Sequence, residues 1–340
     1  MFIFISEPMN KHSGGCYISK RNLEYAQRFC KFNNIELRQI EINPSKGLAK
    51  KFFFVNIETI KKVISFISLS RNRSIYLWID RSIFSWTTLA IRCCYIFSSK
   101  KIMIFTFFHN LEEKYFANKH KNRSMLFRFL NSIKIYLTSI VAKLLSDKLF
   151  YCAKFMFNDK NKKSSFLPHT FKGDSKNNNV RNNYFYIGSN FFANIQEITK
   201  LIQIYSETNT KETLNIYGSV TDSIDNISDK RINLMGFQES LNECFDSHKV
   251  LIALIDQDYG MNVKIAEALH HGKIVLTNSL GIFTVKSSLS KSEKKMLVEY
   301  KDKNHLKEII ENKLIFRKNT SNVSTFKDFD DSKISKMFSI

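Results

Sequence analysis

The run from Val250 to Gly281, VLIALIDQDYGMNVKIAEALHHGKIVLTNSLG, leaves this chain little choice of fold. Val250 to Ile255 is apolar, branched and of strand length, and an acidic turn, Asp256-Gln257-Asp258, follows it. After Gly260, the apolar residues Val263, Ile265, Ala266, Ala268 and Leu269 recur at helical spacing. Gly272 stands where a helix ends on a left-handed residue, and Lys273 to Leu276 opens a second strand. Strand, glycine turn, helix and strand make one parallel β-α-β unit. The N-terminus of its helix presents unbonded N–H groups and a positive dipole end, which suits phosphate. Lys264 and Glu267, three residues apart, share a face just inside that end. A cation there suits a diphosphate and a carboxylate a ribose diol, although an exposed Lys and Glu are also ordinary on any helix.

The segment Gly260-Met261-Asn262-Val263-Lys264-Ile265-Ala266-Glu267-Ala268-Leu269, then Gly272-Lys273, an apolar strand and Gly281, resembles a known pattern. It is similar to the donor-binding segment of family 4-like glycosyltransferases (glycosyl transferases group 1) of the GT-B fold, of the bacterial envelope or capsular polysaccharide type. The resemblance implies an α/β chain of two Rossmann-like domains facing a cleft. It implies that Glu267 holds the donor ribose hydroxyls and that Lys264 lies close to the diphosphate. Asp258, Tyr259, Gly260, Met261 and Asn262 complete that donor segment.

At 340 residues the chain is long enough for two α/β domains. Three prolines, ten glycines and 44% hydrophobic residues argue against a disordered or fibrous chain. Six cysteines show no metal-type spacing and read as reduced core residues of a cytosolic protein. The apolar run Phe2 to Ile5 is too short for a signal peptide, and no uncharged apolar stretch of about 18 residues predicts a spanning helix. The expectation is a cytoplasmic protein, soluble or peripheral at the membrane.

The net charge of +21 is unevenly placed. Residues 1–170 carry 29 Lys and Arg against 10 Asp and Glu, a net +19, whereas residues 171–340 are nearly balanced. Such asymmetry implies an anionic partner for the first half: a membrane surface, a lipid diphosphate, an acidic glycan or nucleic acid. No recognition motif supports nucleic acid. Residues 121–157 interleave Arg123, Arg128, Lys134, Lys143, Lys148 and Lys154 with Phe, Leu and Ile. That pattern fits a core helix with a solvated face and, equally, a helix docked on an anionic leaflet.

Strands alternate with helices along residues 1–165, predicting a first parallel-sheet domain. A strand at Met1 to Ile5 leads through a loop ending in Gly14-Gly15 to a helix from about Tyr17; this resembles the family's first glycine loop, on the acceptor side. The strand Lys101 to Phe108 ends at His109-Asn110-Leu111-Glu112, then Tyr115-Phe116. Ligands of open α/β sheets collect at carboxyl ends of strands, and H-N-x-E-x-x-Y-F resembles the family's first-domain signature, whose His faces the donor sugar. Residues 158–183 read as a linker rich in Lys, Asn and Ser. A second domain then spans about residues 180–325. Its strands end at Gly188-Ser189, Gly218 and Gly236-Phe237, matching the family's order and placing three glycines where a nucleotide approaches backbone.

Two departures stand out. The family's second glutamate, eight residues before Glu267, is replaced by Tyr259, and Gly188 to Phe192 lacks the family's usual cation. Asp256-Gln257-Asp258 has D-x-D spacing, but GT-B enzymes generally use no metal, so no metal or cofactor is expected. The combined reading is a glycosyltransferase moving a sugar from a nucleotide-sugar to a lipid-linked or glycan acceptor, with a retaining outcome implied by resemblance. A non-catalytic GT-B partner protein and a nucleotide-sugar epimerase are the alternatives.

Overall fold

The computed structural model describes residues 1–9, 14–42, 57–96, 98–119, 123–156, 161–172, 181–225, 227–258, 260–317 and 324–338. Two units are present: residues 1–167 together with 329–340, and residues 168–328.

The first unit alternates β1 (Phe2–Ser6), α1 (Gly14–Phe32), β2 (Leu37–Glu41), α2 (Ile57–Leu69), β3 (Ser74–Ile79), α3 (Ser85–Cys94) and β4 (Lys101–Phe108). Then come α4 (Glu112–Lys119), α5 (Met125–Leu145), β5 (Lys148–Tyr151) and β6 (Ser164–Phe166). The six strands pair in parallel in the order β2-β1-β3-β4-β5-β6. β1 and β4 read as unbroken apolar runs because helices cover both faces of the sheet, so alternation disappears. β6 lies inside the stretch expected to be linker; three residues at a sheet edge are too few for a strand pattern to register. Cys93 and Cys94 are exposed rather than core residues.

The second unit runs β7 (Arg181–Ile187), α6 (Phe192–Ser206), β8 (Leu214–Tyr217), β9 (Ile232–Gly236), α7 (Asn242–Ser247), β10 (His248–Ala253), α8 (Val263–His270) and β11 (Ile274–Thr277). It closes with α9 (Ser279–Lys286), α10 (Lys291–Met296), β12 (Leu297–Glu299) and α11 (Lys303–Asn312). Its parallel sheet has the order β12-β11-β10-β7-β8-β9. Gly272 takes φ +67 after α8, the left-handed ending its position predicts. Gly281 lies within α9, where its N–H donates to the Asn278 side chain. β12 is a three-residue edge strand, too short for a period of two to mark it in the sequence.

The last helix, α12 (Asp331–Phe338), returns to the first unit. Phe338 enters a ring cluster with Phe2, Phe29, Trp78, Phe105 and Phe150, at centroid distances of 4.7 to 6.5 Å. Asp331 pairs with Arg28 at 2.7 Å, and the Met337 carbonyl accepts from Lys148 Nζ. Burial of a phenylalanine on this scale is worth about 3–5 kcal/mol against alanine, so the C-terminal helix is part of the first domain's core.

Candidate donor site and first-domain polar centre

β7, β8 and β9 lie side by side, with Gly188, Gly218 and Gly236 at their carboxyl ends. Gly188 N–H donates to the Tyr217 carbonyl at 3.0 Å and Gly218 N–H to the Gly236 carbonyl at 2.8 Å. The glycines therefore continue the ladder as a side-chain-free edge. Gly218 has φ +98, and a Cβ there would stand 2.1 Å from the Gly188 carbonyl oxygen. Gly236 also has positive φ, +70, but faces open space. Ser189 accepts from Asn194 Nδ2 at both its carbonyl and its hydroxyl, and Phe237 is exposed.

The start of α8 belongs to the same unit. Its N-cap, Asn262, is extended at φ −78 and ψ 104 and makes no side-chain capping bond. Asn262 Oδ1 is buried with no hydrogen-bond partner among the described residues. The first turn of α8 is thus left without a side-chain cap, the condition under which a helix end accepts an external anion. Met261 is buried, Asp258 and Gly260 are partly so, and Tyr259 lies outside the described residues.

Lys264 and Glu267 differ in surroundings. All three N–H donors of the Lys264 ammonium are taken internally: by Glu197 Oε2 at 2.9 Å, Asn194 Oδ1 at 3.0 Å and Tyr186 Oη at 3.1 Å. The ammonium also lies 4.4 Å from the centre of the Tyr186 ring, and Tyr186 Oη is within 3.0 Å of Glu197 Oε2. Burial, then the charge and hydrogen bond of Glu197, push the Tyr186 hydroxyl well above its ordinary range, so it stays neutral. Glu267 sits one turn further along, and burial raises its carboxyl to about 7. Glu197, Tyr186 and Asn194 carry no local sequence signal. They meet Lys264 only because β7, α6 and α8 pack together.

Asp256, the first residue of the D-x-D spacing, pairs with Lys200 at 2.6 Å. Among the described residues no group of three or more His, Cys, Asp and Glu could hold a metal ion.

In the first unit, His109 follows β4 and is buried at 3% exposure. Its Nε2 lies 3.2 Å from Asp80 Oδ2, just past β3. Asp80 also accepts from Asn22 Nδ2 at 2.8 Å, Trp78 Nε1 at 3.1 Å and the Ser19 hydroxyl. Burial opposes the Asp80 charge, but His109, Ser19 and Asn22 outweigh it and hold the carboxyl below its usual range. Nε2 donates to that carboxylate, and His109 Nδ1 is buried with no partner among the described residues. Nothing near His109 in the sequence marks Asp80, Ser19 or Asn22 as its neighbours, although Asp80 follows β3 at the sheet's carboxyl edge. Arg81 pairs with Glu7 at 3.3 Å, and their neighbour Glu112 opens α4 buried. Asn110 is partly buried. Gly14 and Gly15 form the first turn of α1 rather than a loop; Asn10 to Ser13 lie outside the described residues.

Residues 181–314, most of the second unit, match the family described as Glycosyl transferases group 1. Comparison with curated proteins gives no match. Among solved structures, HepE of Anabaena in complex with UDP-glucose is similar at a TM-score of 0.62 and 11% identity, covering 99% of this chain and 98% of HepE. A glycosyltransferase of Rickettsia africae is similar at 0.60 and 13%, covering 94% and 89%. The lipopolysaccharide outer core galactosyltransferase WaaB is similar at 0.52 and 12%, covering 98% and 93%. At such identities the structural likeness is one of fold, and that fold is GT-B.

Proposed function

We propose that this chain, a glycosyltransferase of the GT-B fold, moves a sugar from a UDP-sugar held by its second domain to a lipid-linked or glycan acceptor held by its basic first domain. The observation that carries this reading is the edge of three glycines beside the uncapped start of α8, within the segment matched to the group 1 family. HepE, of the same fold, binds UDP-glucose, which motivates the choice of uridine.

In the reaction, the bond from the sugar's anomeric carbon to the β-phosphate oxygen breaks, an acceptor hydroxyl oxygen bonds to that carbon, and the hydroxyl proton passes to the departing diphosphate. The negative charge that develops on the departing diphosphate is met by the N–H groups and dipole of α8. Lys264 adds its charge by exchanging Glu197 for a phosphate oxygen when the donor binds. Glu267 accepts from the ribose hydroxyls, for which it must be ionised. His109, fixed by Asp80, offers Nδ1 to a hydroxyl of the transferring sugar. The outcome in this reading is retention, and no metal is required because helix and lysine supply the positive charge. The site of action is the cytoplasmic face of a membrane.

The engagement of every Lys264 donor, by Glu197, Asn194 and Tyr186, favours one second reading, a GT-B partner protein that binds acceptor without turning over donor. A thermal-shift panel of nucleotide-sugars followed by a UDP-release assay separates the two. Stabilisation by UDP-sugars with UDP release on adding acceptor supports the enzyme. Failure of every nucleotide-sugar to stabilise the protein contradicts the proposed function.

A further inference from the structure

α5 is built inside out. Its buried residues are Ile135, Thr138, Ser139 and Ala142, a stripe mostly of small or hydroxylated side chains. Its exposed residues include Leu126, Phe129, Leu130, Ile133, Tyr136 and Leu137, each between 41% and 67% accessible. A helix on a globular domain ordinarily does the reverse, burying its large apolar residues and exposing its small or polar ones. By length and composition α5 could cross a membrane, yet only 22% of its most apolar stretch is buried. It nonetheless connects β4 to β5 across the parallel sheet and rests on α3 and α4, so it is an element of the domain and not a span. Exposed apolar patches of this extent mark interaction surfaces.

Charge decides between occupants. At 3.6 residues per turn, Phe129, Ile133 and Leu137 lie at the centre of the outward face. Lys143 borders it on one side and Lys134 on the other, and Arg128 is exposed in the first turn, beyond the buried stripe. From Lys114 to Leu145 the sequence has seven Lys and Arg and no Asp or Glu, in a half-chain of net charge +19. A second copy of this domain would bring the same positive charge against itself. An anionic bilayer would instead attract the flanking cations while the apolar face enters the headgroup region.

We infer that α5 is a membrane-docking helix that lies in the plane of an anionic leaflet, with Leu126, Phe129, Ile133 and Leu137 inserted and Lys134 and Lys143 at the phosphate level. This rests on the proposed function only in that docking brings the first domain to a lipid-linked acceptor; the surface itself is independent of the donor site.

The test is flotation of the full chain with phosphatidylcholine vesicles and with vesicles containing phosphatidylglycerol, alongside UDP-sugar binding. Binding to the anionic vesicles is expected, with a loss of about tenfold or more in the triple variant Phe129→Glu, Ile133→Glu, Leu137→Glu. UDP-sugar affinity should be unchanged. Hydrogen exchange on the unaltered protein gives a second readout: vesicles should protect α5. Equal vesicle binding by variant and wild type, no binding by wild type, or protection elsewhere overturns the inference. So does a wild-type dimer in sedimentation that the triple variant abolishes, since a second copy would then cover the face. Lost UDP-sugar binding in the wild type counts against the proposed function alone.

Discussion

The Lys264 ammonium lies 2.9 Å from the Glu197 carboxylate, with side-chain exposures of 12% and 7%. Sequence places the two residues 67 apart, on α8 and α6. Removing one member of so buried a pair strands the other's charge and costs about 3–5 kcal/mol. Lys264→Met and Glu197→Gln should therefore both lower the unfolding midpoint in denaturant. Their effects on nucleotide should be opposite in kind. Lys264→Met should weaken UDP binding by about tenfold or more, whereas Glu197→Gln, which frees the ammonium, should preserve or improve it. Equal loss in both would make Lys264 a strut only.

Gly218 and Gly236 separate steric from conformational cost. At Gly218 a methyl group would collide with the Gly188 carbonyl as well as strain the backbone, so Gly218→Ala should unfold the second domain or destabilise it by several times the left-handed penalty alone. Gly236→Ala meets nothing within 4 Å and should cost only about 1–2 kcal/mol. Urea unfolding of the two variants checks the contrast; similar losses would refute it.

Glu267 should impose a pH dependence. Its folded-state value of about 7 lies above the unfolded value of about 4.3. Between the two, the folded chain keeps a proton that the unfolded chain has lost. Its stabilising contribution is thus complete below about pH 4 and is lost as pH rises through about 7. Ribose hydroxyls donate to the ionised form, so UDP affinity should rise across that upper limb. Glu267→Gln should flatten both profiles, measured by denaturant unfolding and by UDP titration. Profiles unchanged in the variant would show that another group titrates.

The Asp80–His109 pair predicts coupled defects in transfer. Asp80→Asn and His109→Gln should each slow sugar transfer by about 10²-fold or more and leave UDP affinity unaltered. Combined, they should lose little more than either alone, because each disables the same proton position. Additive losses in the double-variant cycle would mean that the two residues act separately.

What the sequence made legible was whatever is encoded locally. β1, β4 and β10 are continuous apolar runs, and the glycine endings of β7, β8 and β9 with the α8 segment mark one edge of a parallel sheet. β6 and β12 escaped because three-residue edge strands carry no period. α5 gave a pattern compatible with core or surface; only its neighbours on α3 and α4 settle which face is turned inward. The partners Glu197 of Lys264 and Asp80 of His109 are contacts across elements, and nothing near either residue in the chain announces them.

The central claim is that the edge formed by Gly188, Gly218 and Gly236, with the start of α8, holds a nucleotide-sugar through Lys264 and Glu267. Calorimetric titration of UDP-glucose into the wild type, Lys264→Met and Glu267→Gln tests it most directly, with circular dichroism confirming that all three are folded. Saturable binding by the wild type and affinity about tenfold or more weaker in each variant are predicted. Absence of binding by the folded wild type, or wild-type affinity in both folded variants, would contradict the claim.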